Sequence, residues 1–383
     1  MKPKLRFNEF NDEWNKVKIS SIVQELKIKT GNTEKYPLWS LTIENGVTPK
    51  TDRYERSFLV KKDDNYKIVE PNNYVYNPMN AHLGAIARNK SNTTISVSGY
   101  YDIFKINNKN YSFYDNYFVS PVMFKQYKLI STGSLLEKQR VHYSQFKELE
   151  INLPTNKEQV KISNFLSLLD KKMELQKKKI EDLKLFKKGL IKKFFNEDNL
   201  KQIKIKEIGE IVTGTTPSKS INSYWDNGNI IWVTPTDIDD NRDINDSIFK
   251  ITDSGLKNGR FIPKNSILVT CIASIGKNAV LKVDGSCNQQ INAIIPNKDF
   301  NYNYIYYLIE SISNYMKSIA GTSATSIINK DDFSKIVVKI HSKEKQDYIA
   351  SIMSQFENKI VLENSKLNKL CQLKKGFMQN MFV

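Results

Sequence analysis

A heptad-patterned stretch of about forty residues occurs twice in this chain, and the duplication limits the fold more than any other feature. Lys157 to Phe195 reads KEQVKISNFLSLLDKKMELQKKKIEDLKLFKKGLIKKFF, and Lys343 to Phe382 reads KEKQDYIASIMSQFENKIVLENSKLNKLCQLKKGFMQNMF. Ile162, Leu166, Leu169, Met173, Gln176, Ile180 and Leu183 fall at alternating steps of four and three. A shift of 187 residues carries them onto Ile349, Met353, Phe356, Ile360, Glu363, Leu367 and Leu370. Lys187-Lys188-Gly189 returns as Lys374-Lys375-Gly376. This is the seam of a helix that buries one stripe against another helix. At 1.5 Å per residue each helix is about 58 Å long. The order domain, helix, domain, helix, with the helices antiparallel, predicts a pseudo-two-fold rod with a domain at each end. The alternative is two amphipathic helices, each packed on its own domain. Gln176 and Glu363 are polar interruptions at equivalent seam positions. They are expected to fix register and to lie near each other at the middle of the rod; the alternative is that both face solvent.

The repeat extends beyond the helices. Trp14 to Val23 precedes the first globular part, and Ile203 to Ile208 answers it at an offset of 186. Phe146, Leu149, Ile151 and Leu153 lie 187 residues before Phe333, Ile336, Val338 and Ile340, so both parts close with a strand that runs into a long helix. Between these marks, short β-rich runs are punctuated by Asn, Gly and Pro. In the first part they are 66–69, 74–76, 94–97 and 101–106; in the second, 230–233, 266–270, 279–283 and 293–295, with a helix near 303–318. The boundaries expected are 1–156 and 196–342 for two mixed strand-and-helix domains, with 157–195 and 343–383 for the helices.

The formal charge of +17 favours a polyanionic partner, nucleic acid before membrane. It divides as +7 over 1–156, +7 over 157–195, zero over 196–342 and +3 over 343–383. The neutral second domain must therefore hold any polyanion with a local patch. Cys271, Cys287 and Cys371 are far apart and form no C-x-x-C, which suits a reducing compartment and offers no disulfide framework or zinc site. No apolar run is long enough to span a bilayer, and the leading MKPKLRFNEF has no signal-peptide core, so a cytoplasmic location is expected.

Catalytic motifs are imitated and then broken. Tyr76-Asn77-Pro78-Met79 is like the N-P-P-Y/F loop of adenine methyltransferases, but Met79 replaces the second proline and no F-x-G-x-G loop accompanies it. Ser274-Ile275-Gly276-Lys277-Asn278 is like the end of a P-loop, but Cys271 stands at the first glycine and Asn278 at the Ser/Thr. Asp237, Asp239 and Asp240 are not followed by an E-x-K, and a solvated loop explains them. His82, His142 and His341 are too scattered for a triad or a zinc site. No catalytic, cofactor-binding or metal residue is assigned.

What remains suits recognition. Small hydroxyl residues and glycine let backbone amides approach phosphates, Gln and Asn match adenine, and Arg or Lys match guanine. In the second domain the candidates are Thr215, Thr216, Ser218, Lys219, Trp232, Thr234, Lys277, Gln289, Gln290, Thr322, Ser323 and Thr325. In the first they are Arg53, Arg56, Arg88, Ser134, Lys138 and Arg140, with Arg140 foremost. Ordinary turns and a solvated arginine are the competing readings. Two functions stay open on the residues alone: a stand-alone nucleic-acid-binding regulator with a coiled-coil spacer, and a structural adaptor whose charge is only a solvated face.

The order of the motifs adds a resemblance. T-G-T-T-P-S at 213–218, Y-W at 224–225, I-I-W-V-T-P-T-D-I at 230–238, G-T-S-A-T-S-I at 321–327 and Glu158-Gln159 at the helix start resemble the specificity subunit of type I restriction–modification enzymes. The likeness covers essentially the whole chain and is tightest in its second half. The first domain lacks the T-P, Y-W and W-V signature, and Leu41 to Val47 with Tyr76-Asn77-Pro78 carry a looser likeness. The second helix begins Lys345-Gln346, keeping the glutamine and losing the acid. The resemblance implies an α+β fold: two target-recognition domains with irregular mixed sheets, joined by two long antiparallel helices. It implies a non-catalytic subunit that reads an asymmetric, bipartite double-stranded DNA site. It further implies docking of methyltransferase subunits and a restriction subunit, with S-adenosylmethionine, ATP and Mg2+ belonging to those partners.

Overall fold

Both seams form uninterrupted helices, Asn156–Phe195 and Lys343–Met381, in the computed structural model, which describes residues 1–50, 66–133, 139–239, 241–320 and 327–383. The fold is α+β and divides into two compact units. The first is Met1–Lys177 with Lys366–Val383; the second is Lys178–Ser365. Each unit therefore holds a segment of both long helices.

The first unit carries β1 (Asn15–Lys18), β2 (Val23–Leu26), β3 (Lys29–Thr30), β4 (Trp39–Thr42), β5 (Gly46–Pro49), β6 (Tyr66–Val69), β7 (Tyr74–Tyr76), β8 (Ile86–Arg88), β9 (Ile95–Ser98), β10 (Asp102–Ile106) and β11 (Glu150–Leu153). An antiparallel sheet runs β2-β10-β7-β8, beside a second sheet β3-β6-β9 and a hairpin β4-β5. Strand alternation sends side chains to two cores. Tyr74, Tyr76, Phe104 and Ile106 face one with helices Tyr111–Tyr117 and Pro121–Ile130; Val75 and Ile103 face the other with Val69, Ile95 and Val97. Burying each such side chain contributes about 1.5–3 kcal/mol. Neither of those two helices was expected from the sequence.

The second unit carries β12 (Lys201–Lys204), β13 (Gly209–Thr213), β14 (Ile230–Val233), β15 (Asp243–Ile244), β16 (Phe249–Ile251), β17 (Ile267–Thr270), β18 (Asn278–Leu281), β19 (Gly285–Cys287), β20 (Ile291–Pro296) and β21 (Val337–Ile340). Its main sheet, β13-β20-β17-β18, repeats the order of β2-β10-β7-β8 and adds β15 parallel to β18. The second sheet is β16-β14-β19, with β14 and β19 parallel. The helix expected near 303–318 is two helices, Tyr302–Ser311 and Ser313–Ile319, separated at Ile312.

A collar closes each globular part. β1 pairs with β11, Asn15 opposite Leu153, and β12 pairs with β21, Lys201 opposite Ile340. A buried glutamine then ties collar to helix. Gln159 Nε2 donates to the Pro154 carbonyl at 3.0 Å while its Oε1 accepts from Asn110; Gln346 Nε2 donates to the His341 carbonyl at 3.0 Å while its Oε1 accepts from the Asn301 N–H. Asn110 and Asn301 are themselves helix N-caps. The acid before the first glutamine has its own partner. Glu158, 1% exposed, takes Nε and Nη2 of Arg6, each at 2.7 Å. Lys345, which replaces it in the second copy, lies over the Tyr348 ring instead.

The helix segments pair antiparallel within each unit. In the first, Phe165 meets Phe377 edge-on at 4.8 Å and Lys374 pairs with Asp170 at 2.6 Å. In the second, Lys179 pairs with Glu363 at 3.0 Å, Phe186 packs on Phe356 at 5.2 Å, and Lys187 pairs with Glu357 at 2.9 Å. Ile162, Leu166, Leu169, Ile180, Ile349, Met353, Ile360 and Glu363 are buried; Met173, Gln176, Leu183, Phe356, Leu367 and Leu370 are half-buried. Lys187, in the repeated Lys187-Lys188-Gly189, is 12% exposed, between Glu310 and Glu357 and beside the Tyr306 and Tyr307 rings. The helix Tyr302–Ser311 covers that face of the long helix, and heptad phase does not show it.

Candidate nucleic-acid interface

The loops with the recognition motifs of the second domain gather at one end of its sheets. β13 and β17 end where β20 begins, with Thr213 opposite Asn292 and Thr270 opposite Ile291. The Asn288 N–H donates to the Val233 carbonyl, which brings in the end of β14, and the Cys271 N–H donates to the Gln290 carbonyl. Gly214 is required here. A Cβ on it would stand 2.2 Å from the Asn288 carbonyl oxygen and 2.3 Å from that of Cys287.

Two indoles hold the 213–220 loop. Trp232 Nε1 donates to the Thr215 carbonyl and Trp225 Nε1 to the Ser218 carbonyl, both at 3.0 Å, and the rings meet edge-to-face at 5.0 Å. The T-P-T-D turn closes on its own carboxylate. Asp237 Oδ2 accepts from the Thr234 N–H and hydroxyl, each at 2.7 Å, and Oδ1 accepts from the Ile248 N–H at 2.9 Å. The motifs T-G-T-T-P, Y-W and W-V-T-P-T-D thus specify the frame of these loops.

A surface cavity of about 430 Å³ opens between them, lined by Thr216, Lys219, Trp232, Thr234, Pro235, Thr236, Phe249, Asn288, Gln289 and Gln290. A second, of about 320 Å³, shares Lys219, Trp232 and Phe249 and adds Asn222, Trp225 and Asp226. The Thr216 hydroxyl donates to Gln289 Oε1 at 2.5 Å, and Asn288 Nδ2 donates to Gln290 Oε1 at 3.0 Å. Carboxamides, hydroxyls, an ammonium and aromatic edges on a concave surface suit hydrogen bonding to base edges. The two nearby thiols are unreactive at neutral pH, because burial pushes Cys271 up to about 11 and Cys287 up to about 12.

Six sequence candidates, Thr216, Lys219, Trp232, Thr234, Gln289 and Gln290, line the first cavity together. Thr215 and Trp232 hold the loop through the bond between them, and Ser218 bonds Ser220. Lys277 lines another cavity, with Lys317. Thr322, Ser323 and Thr325 lie outside the described residues, as do Arg53, Arg56, Ser134 and Lys138 of the first domain. Arg88 turns inward: Asp115 takes its Nε at 3.1 Å and Nη2 at 3.0 Å, and Asn72 takes Nη1 at 2.5 Å. Arg140 is exposed and exchanges two backbone hydrogen bonds with Thr132, both 2.8 Å. Pro235, Thr236 and Asn288, which also line the cavity, lie in stretches the sequence singles out; sequence reasoning passed over Phe249 there, and exposed Met79, Leu83 and Tyr100 at the corresponding end of the first domain's sheet. Tyr100, 85% exposed just before β10, was readable as a solvent-facing aromatic in a turn.

Comparison with known proteins gives one consistent answer. Residues 11–185 and 197–372 each match the family model described as the type I restriction modification DNA specificity domain. The MjaIX type I restriction enzyme specificity subunit of Methanocaldococcus jannaschii is 36% identical over 169 residues, 43% of this chain and 38% of that relative. The EcoR124I/EcoR124II specificity subunit of Escherichia coli is 30% identical over 235 residues, 56% of this chain and 57% of that relative. The chain thus spans less than two thirds of the length of either of these two relatives. The crystal structure of the type I restriction–modification S subunit from M. genitalium aligns over 100% of this chain and 99% of that one, with a TM-score of 0.57 and 15% identity. A chain solved in a study of complex assembly and conformational transition of the type I R-M system aligns over 98% of both, with a TM-score of 0.67 and 13% identity. At such identities the structural likeness shows the fold alone.

Proposed function

The chain belongs to the type I restriction modification DNA specificity domain family, and we propose from this premise that it is the subunit that selects the DNA target of a type I restriction–modification complex. It contributes no catalytic group. Each unit reads one half of a bipartite, asymmetric double-stranded site. The observation that carries this reading is one sheet order built twice, β2-β10-β7-β8 and β13-β20-β17-β18, with unlike side chains on the loops at its end. Repetition of a single loop set would favour a palindrome; unlike sets favour unlike half-sites.

Lysine and arginine side chains supply salt-dependent phosphate contacts, and the loops at 213–220, 232–237 and 287–290 supply base contacts in the second half-site. The long helices set the spacing between half-sites and dock methyltransferase subunits; a restriction subunit joins that assembly. S-adenosylmethionine, ATP and Mg2+ belong to those partners. The complex works in the cytoplasm. Among the described residues no helix is long and apolar enough to cross a membrane.

The test is to express the chain with its methyltransferase and map methylated adenines across a genome. A split asymmetric motif is the expected result. Exchanging residues 1–150 for those of a relative changes one half of that motif and preserves the other; a change in both halves defeats the modular reading. Removing one turn from each long helix alters the spacer and leaves the bases read unchanged, because B-DNA turns once per roughly 10–10.5 base pairs. Failure to co-purify with a methyltransferase points to a stand-alone regulator.

A further inference from the structure

The turn after β17, Cys271 to Lys277, belongs to neither cavity beside the indoles, and its backbone is unusual. Ala273 adopts φ +62° and Gly276 φ +81°. A left-handed alanine is disfavoured by its Cβ and persists only where its surroundings hold it. Thr270, fully buried, holds this one from beneath: its hydroxyl donates to the Ser274 carbonyl at 2.5 Å and to the Lys277 carbonyl at 3.1 Å. The Gly276 N–H donates to the Thr270 carbonyl, whereas the N–H groups of Ala273, Ser274 and Ile275 meet no backbone carbonyl among the described residues. A run of unspent amides in a turn forms an anion-binding concavity.

Two cations flank it. A Cβ on Gly276 would stand 2.5 Å from Ser313 Oγ, so the helix Ser313–Ile319 packs directly on the turn. One helical turn beyond Ser313, Lys317 joins Lys277, Ala273, Ser274 and Ile275 around a cavity of about 200 Å³ with no carboxylate among the described residues that line it. The partial likeness to the end of a P-loop thus corresponds to a real local arrangement of amides and lysine. The turn also adjoins the base-contacting loops, because the Cys271 N–H bonds the Gln290 carbonyl.

We propose that the 273–277 turn, with Lys277 and Lys317, seats one phosphate of the DNA backbone beside the cavity that reads bases, giving the neutral second domain its local positive patch. This rests on the DNA-specificity reading above. The turn positions the duplex and is indifferent to sequence; the Thr216, Gln289 and Gln290 cavity discriminates.

Binding of the full chain to a target duplex and to a scrambled duplex of equal length, titrated with salt, tests the division. Lys277→Ala with Lys317→Ala is expected to weaken both duplexes by the same factor, about tenfold. The slope of log affinity against log salt should flatten by about 0.9, the value of one phosphate contact, with target preference unchanged. Lys277→Arg with Lys317→Arg keeps the slope, which separates charge from folding. Unaltered affinity and slope in the alanine variant, with preference intact, overturn the proposal and leave the specificity reading standing. Loss of preference at constant slope also overturns it, since the lysines would then read bases. An unsubstituted chain without preference for its target removes the specificity reading, and this inference with it.

Discussion

The two units are the same framework carrying different contents, and the contrast shows where the chain tolerates change. Sheet order, collar pairing and the Gln159 and Gln346 clamps recur. So does a cross-helix ion pair, since Lys187 with Glu357 corresponds to Lys374 with Asp170 after the 187-residue shift. Differences gather in two places. One is the loop end of each sheet, where the second unit has interlocked indoles and Asp237. The other is what lies against the helices: a third charged group, Glu310, in the second unit and an arginine from the leading segment in the first. Groups that carry a strand into a helix are repeated; groups that face outward or brace one unit alone are not.

The largest expected effect tests the loop frame. Trp232→Ala removes a buried indole and the hydrogen bond that holds Thr215, and should cost about 3–5 kcal/mol. Hydrogen exchange should show weaker protection in the second unit with the first unchanged; equal loss in both would break the comparison.

Next come the unlike braces. Glu158→Ala strands a mostly buried arginine and should cost about 3 kcal/mol, whereas Lys345→Ala, at the equivalent position, should stay within about 0.5 kcal/mol. Denaturant melts that rank them equally would show that the Arg6 contact contributes nothing.

The shared ion pairs should differ in depth. Lys187→Met leaves Glu310 and Glu357 without their cation and should cost about 2–3 kcal/mol at neutral pH; Lys374→Met, with half-exposed Asp170, should cost under about 1 kcal/mol. Burial raises the Glu310 carboxyl above its ordinary range. The unfolded chain then ionises first as pH rises, so this group costs stability above about pH 4.3 and returns it on acidification. The Lys187→Met penalty should therefore shrink as pH falls from 7 toward 4.5, and a penalty independent of pH would remove Glu310 from the explanation.

Smallest and most symmetrical are the clamps. Gln159→Met and Gln346→Met should each cost about 1–2 kcal/mol and agree within about 0.5 kcal/mol; a large inequality in thermal melts would deny that the two copies do the same work.

The frame was legible because periodicity reports burial. Steps of four and three gave the helices, β-rich runs bounded by Asn, Gly and Pro gave β6, β7, β14 and β17, and the 187-residue shift related the two closing strands. Contacts that no local pattern encodes were not legible. Arg6 meets Glu158 across 152 residues of sequence, and Lys187 faces inward because a helix from the globular part reaches it. Arg88 likewise reads as a free cation until Asp115 is placed beside it. Among the site residues, sequence reasoning found the motif loops. It did not separate Trp232 and Thr215, which hold the frame, from Thr216 and Gln289, which face outward, because a motif names both kinds together.

The composition of the first unit bears on the order of folding. Its core includes Met378, Met381 and Phe382 beside Ile162 and Leu166, whereas the second unit is contiguous from Lys178 to Ser365. During synthesis β1 waits for Leu153 to emerge before its collar closes, and the core behind it waits for almost the entire chain. Long loops are costly to close and slow to find. The part made first is thus completed last, and until then its aromatic core depends on an unfinished wall, so a chain truncated after Ser365 is expected to keep its second unit and to expose its first to limited proteolysis.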